Sequence, residues 1–161
     1  MPPRLCDQLA LAYQYKQLRN DVDNTGRQNL ALARGLAFLV EHQLQADIDA
    51  HGGLAGSDSL RNGEFEHFRS HADAVIREQF PGATILVIGR DGRQLLNTSV
   101  PPGAPMPPPM GPEPTKRVFA SGRPEVSTLF EIGPSNHFVV AIDVPVYGDD
   151  GTVHYVLSMN P

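Results

Sequence analysis

The sequence predicts an α+β domain in which a long N-terminal helix packs on a five-stranded antiparallel sheet. Two segments with helical composition or helical apolar spacing come first, over about residues 4–50 and 64–79. From about residue 83 onward, the apolar residues follow the two-residue period of strands and are separated by turn residues. Helices followed by strands favour a segregated α+β arrangement over an alternating parallel one.

The composition is that of one folded domain, and it excludes several kinds of function. The 161 residues carry a net charge of −5 and no basic run, so we expect no nucleic-acid binding. Cys6 is the single cysteine, which excludes a disulfide framework and a cysteine-based zinc site. No apolar run approaches the roughly 18 residues of a membrane helix, and the first residues lack a signal-peptide pattern. We therefore expect this sequence itself neither to cross nor to target a membrane.

The first predicted helix carries a heptad pattern. A helix of ~45 residues at about 1.5 Å per residue reaches roughly 65 Å, so part of it is expected to project from the domain. One alternative is a core helix that breaks near Gly26. The other is a stalk that pairs with a second copy over its first half and caps its own domain over its second half. The a and d positions hold Leu11, Tyr15, Leu18, Val22, Thr25, Asn29, Leu32, Leu36, Leu39, Gln43 and Ala46.

Glycines mark the expected helix ends. Gly52 and Gly53 predict that the first helix stops at about Ala50, because glycine commonly caps helix C-termini. A short loop is expected over residues 57–61. The second helix has apolar residues at three- and four-residue spacing and ends before a Pro-Gly pair at 81–82.

Five strands are predicted in the rest of the chain. The first two, over about residues 83–88 and 94–98, flank Asp91 and Gly92, and an Asp-Gly turn between apolar runs is a strong hairpin signal. The other three are expected over residues 125–132, 138–147 and 153–159.

A proline-rich segment separates the second and third strands. Residues 101–114 contain eight prolines, and a helix or strand is excluded there because proline has no N–H to donate. We expect a polyproline-like excursion on the surface; a ligand segment for another protein is the weaker interpretation. One or two helical turns are expected directly after it, over residues 115–121.

Catalytic and metal-binding motifs are absent from the sequence. There is no nucleophile elbow and no phosphate-binding glycine loop, so no catalytic residue is assigned. Glu64, His67 and His71 share a helix face, but no third distant ligand accompanies them. A solvated polar face is the preferred interpretation, and we expect neither a metal nor a cofactor.

One aspartate stands out in the fourth predicted strand. Side chains alternate along a strand, which places Asp143 on the same face as small and apolar neighbours. A carboxylate there is costly unless it is paired or near solvent. Two interpretations remain open: Asp143 lines a shallow pocket, or it forms a structural ion pair with Arg117 or Arg123.

Three segments together resemble the extracytoplasmic Cache domain, a PAS-like sensor, of bacterial sensor histidine kinases. They are residues 91–98 (DGRQLLNT), 117–127 (RVFASGRPEVS) and 139–146 (VVAIDVPV). The sequence departs from the pattern at Gly89-Arg90, where Asp-Pro is usual, and in the longer proline-rich loop. The resemblance runs from about residue 25 to residue 160. It implies a membrane-proximal helical stalk over 1–24 and a single sensor domain over 25–161.

The resemblance also implies a function. It indicates a periplasmic, non-catalytic sensor of a small molecule whose ligand controls a cytoplasmic kinase, with transmembrane helices that flank this sequence. We expect a homodimer through the N-terminal helix and an organic-acid or amino-acid-like ligand, because guanidinium groups suit carboxylates and a carboxylate suits an amine. The alternatives are a dimerising spacer without a ligand, or the sensor of a diguanylate cyclase or chemoreceptor. The candidate ligand-binding residues are Thr98, Arg117, Arg123, Ser127, Asp143 and Tyr155.

Overall fold

The computed structural model describes the backbone of residues 5–108, 113–132 and 137–160, and their side chains except 5–13, 18, 20–25, 132 and 137. The chain divides into two compact units, Met1–Leu44 and Gln45–Pro161. The expected boundary between a stalk and a sensor domain at residue 25 stays a prediction. Within the described residues, no helix carries a stretch that is both long and apolar enough to cross a membrane.

Helix α1 (Leu5–Ala55) forms the described part of the first unit. The helix is continuous through Gly26, so the alternative of a core helix that breaks there is wrong. The described side chains of residues 26–43 are all exposed, among them Leu32, Leu36 and Leu39 of the heptad rows. The side chains of Leu11, Leu18, Val22 and Thr25 lie outside the described residues.

The last three turns of α1 belong to the second unit, and the predicted helix end at Ala50 is wrong. The helix continues through two glycines to Ala55. Gly52 and Gly53 are exposed, whereas His51 and Leu54 beside them are buried. Burial of neighbouring side chains outweighs the roughly 1 kcal/mol that each glycine costs a helix.

Two further helices follow α1. The segment expected as a loop contains a single helical turn, α2 (Asp58–Arg61), which begins where the Ser57 hydroxyl accepts a hydrogen bond from the Leu60 backbone N–H at 3.3 Å. Helix α3 (Phe65–Gln79) matches the second predicted helix and buries Phe68 and Ala72. Leu60 and Phe68 are completely buried, so both elements contribute to the core.

The strands form one antiparallel sheet and one separate hairpin. The sheet has five strands in the order β2-β1-β7-β6-β3, and β4 pairs with β5 alone. The predicted fold class, a long N-terminal helix with a five-stranded antiparallel sheet, is confirmed. The strands are β1 (Thr84–Gly89), β2 (Gln94–Asn97), β3 (Glu125–Val126), β4 (Phe130–Ile132), β5 (His137–Val139), β6 (Ile142–Tyr147) and β7 (Val153–Asn160).

Two predicted strands are each broken in the structure. The segment predicted as one strand over 125–132 leaves the sheet after Val126, and the segment over 138–147 joins it only at Ile142. Ser127 marks this junction, because its backbone N–H donates to the Ala141 carbonyl at 2.8 Å and pairing in the main sheet stops there. The hairpin β4–β5 is consequently more exposed, with Phe138 at 61% of its surface.

Segment 98–124 connects the second and third strands of the sheet. Residues 101–108 contain neither helix nor strand and are mostly exposed, as the prolines require. Helix α4 (Glu113–Ser121) then begins two residues before its predicted start and buries Thr115 and Val118. Gly122 ends it with a positive φ of 66°, a backbone conformation that favours glycine.

Candidate functional site

A polar row crosses one face of the sheet from edge to edge. Residues directly opposite each other on antiparallel strands share a face. The register places one residue of each strand in this row, and four of the five are polar: Asn97, Leu86, Ser158, Asp143 and Glu125, in sheet order. The first four are buried and Glu125 is partly exposed. We call this side of the sheet the α4 face, because α4 contacts the row.

Asp143 is the most deeply buried carboxylate of the row, with no exposed surface. The Thr115 hydroxyl, on the first turn of α4, donates a hydrogen bond to Asp143 Oδ2 at 2.6 Å. Asp143 Oδ1 is equally buried and has no hydrogen bond of good geometry from any described residue. One oxygen of this buried acid is therefore left without a well-aligned donor, although the Ser158 hydroxyl lies close enough to stabilise the carboxylate.

The environment of Asp143 favours its protonated form. Burial raises the pKa of Asp143, and the charge of Glu125 raises it further. The hydroxyls of Ser158 and Thr115 partly offset this effect, because hydrogen bonds to the ionised carboxylate lower its pKa. The cost of desolvation is the largest of these effects, so a cation or a proton at this place would stabilise the site.

Glu125 lies beside Asp143 on the neighbouring strand and forms with it what we call the carboxylate pair. Their Cβ atoms are expected about 5 Å apart, as for any directly opposed residues. Glu125 Oε2 lies 3.0 and 3.1 Å from two guanidinium nitrogens of Arg117 on α4. Each carboxylate of the pair is thus held by a different side chain of the same helix.

The structure does not contain an ion pair between Asp143 and Arg117 or Arg123, which was the second interpretation of Asp143. Arg117 pairs with Glu125, and the Arg123 side chain has no ion pair among the described residues. Arg123 is exposed and follows the glycine that ends α4; its backbone N–H donates to the Ser121 hydroxyl at 3.1 Å. The expectation that Asp143 meets one of these arginines directly is therefore wrong, because a hydroxyl occupies that place.

The hydroxyls of two other candidate residues form hydrogen bonds with backbone groups. Thr98 Oγ1 accepts from the Ile85 N–H at 2.9 Å, which prolongs the β1–β2 pairing. Ser127 Oγ accepts from the Ala141 N–H at 2.7 Å and donates to the Thr128 carbonyl at 2.8 Å. Both hydroxyls hold strand ends in place, and a ligand would have to replace one of these bonds.

Tyr155 lies on the other side of the sheet from Asp143. It is three residues before Ser158 on β7, and side chains alternate along a strand. Its ring packs edge-on against Phe65 of α3, with centroids 5.4 Å apart. Of the six candidate residues, the structure therefore brings Asp143 and Arg117 to the same cluster and separates Tyr155 from it.

Sequence reasoning missed four residues that shape the site, one of which is Glu125 of the carboxylate pair. Thr115 and Ser158 contribute the two hydroxyls next to Asp143. Arg69 on α3 is buried, and its guanidinium donates to the Asn97 carbonyl at 3.1 Å and the Val100 carbonyl at 3.2 Å. Arg69 thus anchors the start of segment 98–124. Strand register was the only signal for Ser158, and the register depends on tertiary pairing.

A groove of about 780 Å³ runs along β6 from Val144 to the β6–β7 turn, and the Val144 side chain lies on the opposite face of the sheet from Asp143. It lies between the end of α1 and the β6–β7 turn, and none of the six candidate residues lines it. Two of its three charged side chains are engaged: Asp49 accepts from Gln45 at 2.9 Å, and Arg61 pairs with Asp58. The third, Asp149, is exposed. Its lining consists of Ile48, Asp49, Gly52, Ala55, Gly56, Arg61, Pro124, Val144, Pro145, Tyr147, Gly148, Asp149 and Gly151.

The histidines of α3 form a polar surface. His67 Nδ1 lies 3.9 Å from Glu64 Oε2, and both side chains are more than half exposed. Among the described residues, no three His, Cys, Asp or Glu side chains come together as a metal ion would require.

Comparisons with known proteins find a match among solved structures. No family model and no curated protein matches the chain. Among solved structures, the ligand-binding domain of the Campylobacter jejuni chemoreceptor Tlp3, in complex with L-valine, matches with a TM-score of 0.37 and 16% sequence identity. The match covers 76% of this chain and 60% of that one, so the chain spans less than two thirds of its length.

Proposed function

We propose that this chain is the periplasmic, ligand-binding sensor region of a bacterial membrane receptor, in the first instance a sensor histidine kinase. The chain itself has no catalytic role; the ligand binds on the α4 face of the sheet and changes how α4 and the long helix sit on it. The chemoreceptor and diguanylate cyclase alternatives share this binding step and differ in the output domain.

The buried carboxylate of Asp143 is the observation that supports a ligand site. A soluble domain gains nothing from an acid with one unpartnered oxygen in its interior, since this costs folding free energy. Such costs are usually retained where the group is needed for function. An ammonium group would supply both the charge and the donors that Oδ1 lacks. Asp143 is therefore proposed as the residue that binds the ligand's amine.

The rest of the ligand is proposed to be a carboxylate or hydroxy acid. Arg123 is exposed near the end of α4, and Arg117 keeps exposed surface even while it holds Glu125. Both guanidinium groups are suited to a carboxylate. Thr98 and Ser127 remain proposed secondary contacts, because a ligand would have to replace their present hydrogen bonds. Tyr155 faces the other side of the sheet and is not part of the proposed α4-face site. An amino-acid-like ligand fits the Asp143 and arginine chemistry together.

Calorimetry with three matched probes tests this assignment. L-Alanine, ethylamine and L-lactate share a small carbon skeleton but carry both groups, the amine alone, and the acid with a hydroxyl. We expect the amino acid or the amine to bind wild type, and Asp143→Asn to weaken that binding at least tenfold, or about 1.4 kcal/mol. A change of less than about threefold would show that Asp143 is a structural residue.

Asp49→Asn is the matched control. It also removes one negative charge, but its carboxylate lines the groove beside the end of α1 and not the α4 face. We expect the Asp49→Asn variant to bind the same probe with the affinity of wild type. A loss with Asp49→Asn and none with Asp143→Asn would move the ligand site to the groove.

The second candidate function is a dimerising spacer without a ligand. It is favoured by the row of exposed leucines on α1, which we propose pairs with a second copy of this chain. Failure of every amine and acid to shift the melting temperature, combined with a stable dimer, would favour the spacer over the sensor.

A further inference from the structure

Helix α4 is docked on the sheet directly over the carboxylate pair. Helix α4 reaches the pair through two side chains: Thr115 donates to Asp143, and Arg117 binds Glu125. The interaction with Arg117 is partly exposed and is screened by water. The interaction with Asp143 is fully buried and has no cation.

The ionised Asp143 therefore opposes closure of the segment that covers it. When α4 is docked, the negative charge lies in the interior with an unpartnered Oδ1 and a second carboxylate beside it. When α4 lifts, water solvates both acids. A proton on Asp143 removes this charge, and the free-energy cost of docking α4 over the site falls accordingly.

We propose that the carboxylate pair is a proton-operated latch, which holds α4 closed over the ligand site in acid and releases it as the pH rises. This inference rests on the proposed function for its meaning, because the latch would regulate entry to that same site. Protons and a cationic ligand would then compete for Asp143, and binding of the ligand would release a proton.

The groups that face Asp143 within the described residues all act on this latch in a known direction. From β3, the charge of Glu125 makes protonation easier. From α4 and β7, the hydroxyls of Thr115 and Ser158 make it harder. Arg117 lies on the far side of Glu125 and partly neutralises that carboxylate. Burial outweighs the hydroxyls, so the docked state binds the proton more tightly than the lifted state.

Hydrogen exchange of the α4 amides against pH tests the latch without any ligand. The amides of the last turn of α4, and that of Gly122, which donates to the Val118 carbonyl at 2.9 Å, are protected by bonds within the helix. They report docking because a helix of 9 residues is not stable in water once it leaves the sheet. Protection factors, corrected for intrinsic exchange, are measured by NMR from about pH 4 to pH 8. We expect protection in wild type to fall by up to about tenfold per pH unit while Asp143 ionises, and then to level off.

Three variants should each change the pH dependence of protection in a different way. Asp143→Asn should remove the pH dependence. Glu125→Gln removes the like charge and should move the midpoint to lower pH, whereas Thr115→Val removes the donor and should move it to higher pH. The control Glu78→Gln changes an exposed acid on α3 and should leave the profile as in wild type. Because the Glu125 and Thr115 variants shift in opposite directions, the test holds even where Asp143→Asn fails to fold.

A flat profile in wild type, or a slope that persists in Asp143→Asn, would overturn the latch. Neither result concerns ligand affinity, which calorimetry measures separately. If protection does not change with pH but calorimetry detects binding of the amine, the latch is wrong and the proposed function is supported. If protection falls with pH but neither the amine nor the acids bind, the latch is supported and the proposed function is wrong.

Discussion

His51 is the clearest case in which one side chain controls stability. It lies in the second-last turn of α1 and is completely buried, and neither ring nitrogen has a hydrogen bond of good geometry. Burial lowers the pKa of His51 to about 4, and the nearby Leu157 backbone raises it by less. A neutral imidazole is therefore required for α1 to dock.

The pH dependence of stability follows from this shift. The unfolded chain binds a proton at His51 at about pH 6.5, and the folded chain only near pH 4. The contribution of His51 is therefore complete above about pH 6.5 and is lost as the pH falls toward 4. The loss is up to about 3 kcal/mol of unfolding free energy.

Urea denaturation at several pH values checks this prediction. His51→Leu keeps an apolar side chain in the same place and cannot be protonated, so the difference between variant and wild type isolates the histidine. We expect that difference to grow in favour of the variant from pH 7 to pH 4. A difference that stays constant over this range would contradict the prediction. The raised pKa of Asp143 changes stability with pH in the opposite direction, but this contribution cancels because Asp143 is present in both proteins.

At the scale of the element, helix α1 carries an apolar row that is exposed among the residues that the structure describes. Leu32, Leu36 and Leu39 are 63–66% exposed and follow the a and d positions of the heptad. At 100° per residue these three side chains fall within about 60° of one another on the helix surface. Tyr15, 69% exposed, occupies a further d position. We propose that this row pairs in parallel with a second copy.

Light scattering and sedimentation test the pairing. Replacing Leu32 and Leu36 by Glu should convert a dimer to a monomer, because like charges would meet in the seam. Leu30→Glu is the matched control, since Leu30 is also exposed, at 51%, but projects from nearly the opposite side of the helix. It should leave the dimer intact. If wild type stays monomeric at high concentration, or Leu30→Glu disrupts the dimer equally, the seam is misplaced.

At the scale of the whole molecule, the core lies within the second unit. Every described side chain that is buried belongs to Asp47 or a later residue. We expect a chain of residues 45–161 to fold without the preceding part of α1, with a melting temperature within a few degrees of wild type. That corresponds to a loss of less than about 1 kcal/mol.

Calorimetric melting of the shortened chain, at concentrations at which wild type is monomeric, is the measurement. A matched truncation that begins after α1, at residue 57, should fail to fold, because it removes Leu54 and Ala55 from the core. A shortened chain 45–161 that melts more than about 10 °C below wild type would show that the first unit contributes to folding.

Much of the architecture could be predicted because it depends on local signals. Helix α3 was visible in its apolar spacing, the β1–β2 hairpin in its Asp-Gly turn, and the irregular segment in its prolines. Each signal acts over a few residues and needs no knowledge of the rest of the chain. Hence the order of elements and the α+β class follow from the sequence alone.

The candidate site could be predicted only in part, because its members meet across long sequence separations. The isolated aspartate in an apolar strand identified Asp143 as unusual. Its actual partner, Thr115, lies 28 residues earlier on α4 and gave no sign of the contact. The arginines could be recognised as candidate partners, but only the packing of α4 decided that Arg117 holds Glu125 instead.

Tertiary packing alone decided where α1 ends, where two strands leave the sheet, and which side chains face each other. Local propensity stops α1 at its glycines, yet burial of His51, Leu54 and Ala55 continues it, because burying apolar surface outweighs the cost of glycine in a helix. The polar row likewise exists only in the register of five strands. The sequence by itself determined the fold class and the order of most elements, but not helix α2 or the breaks in two strands. The pairing of the strands, which sets the charge environment of Asp143, arose from contacts that no local pattern encodes.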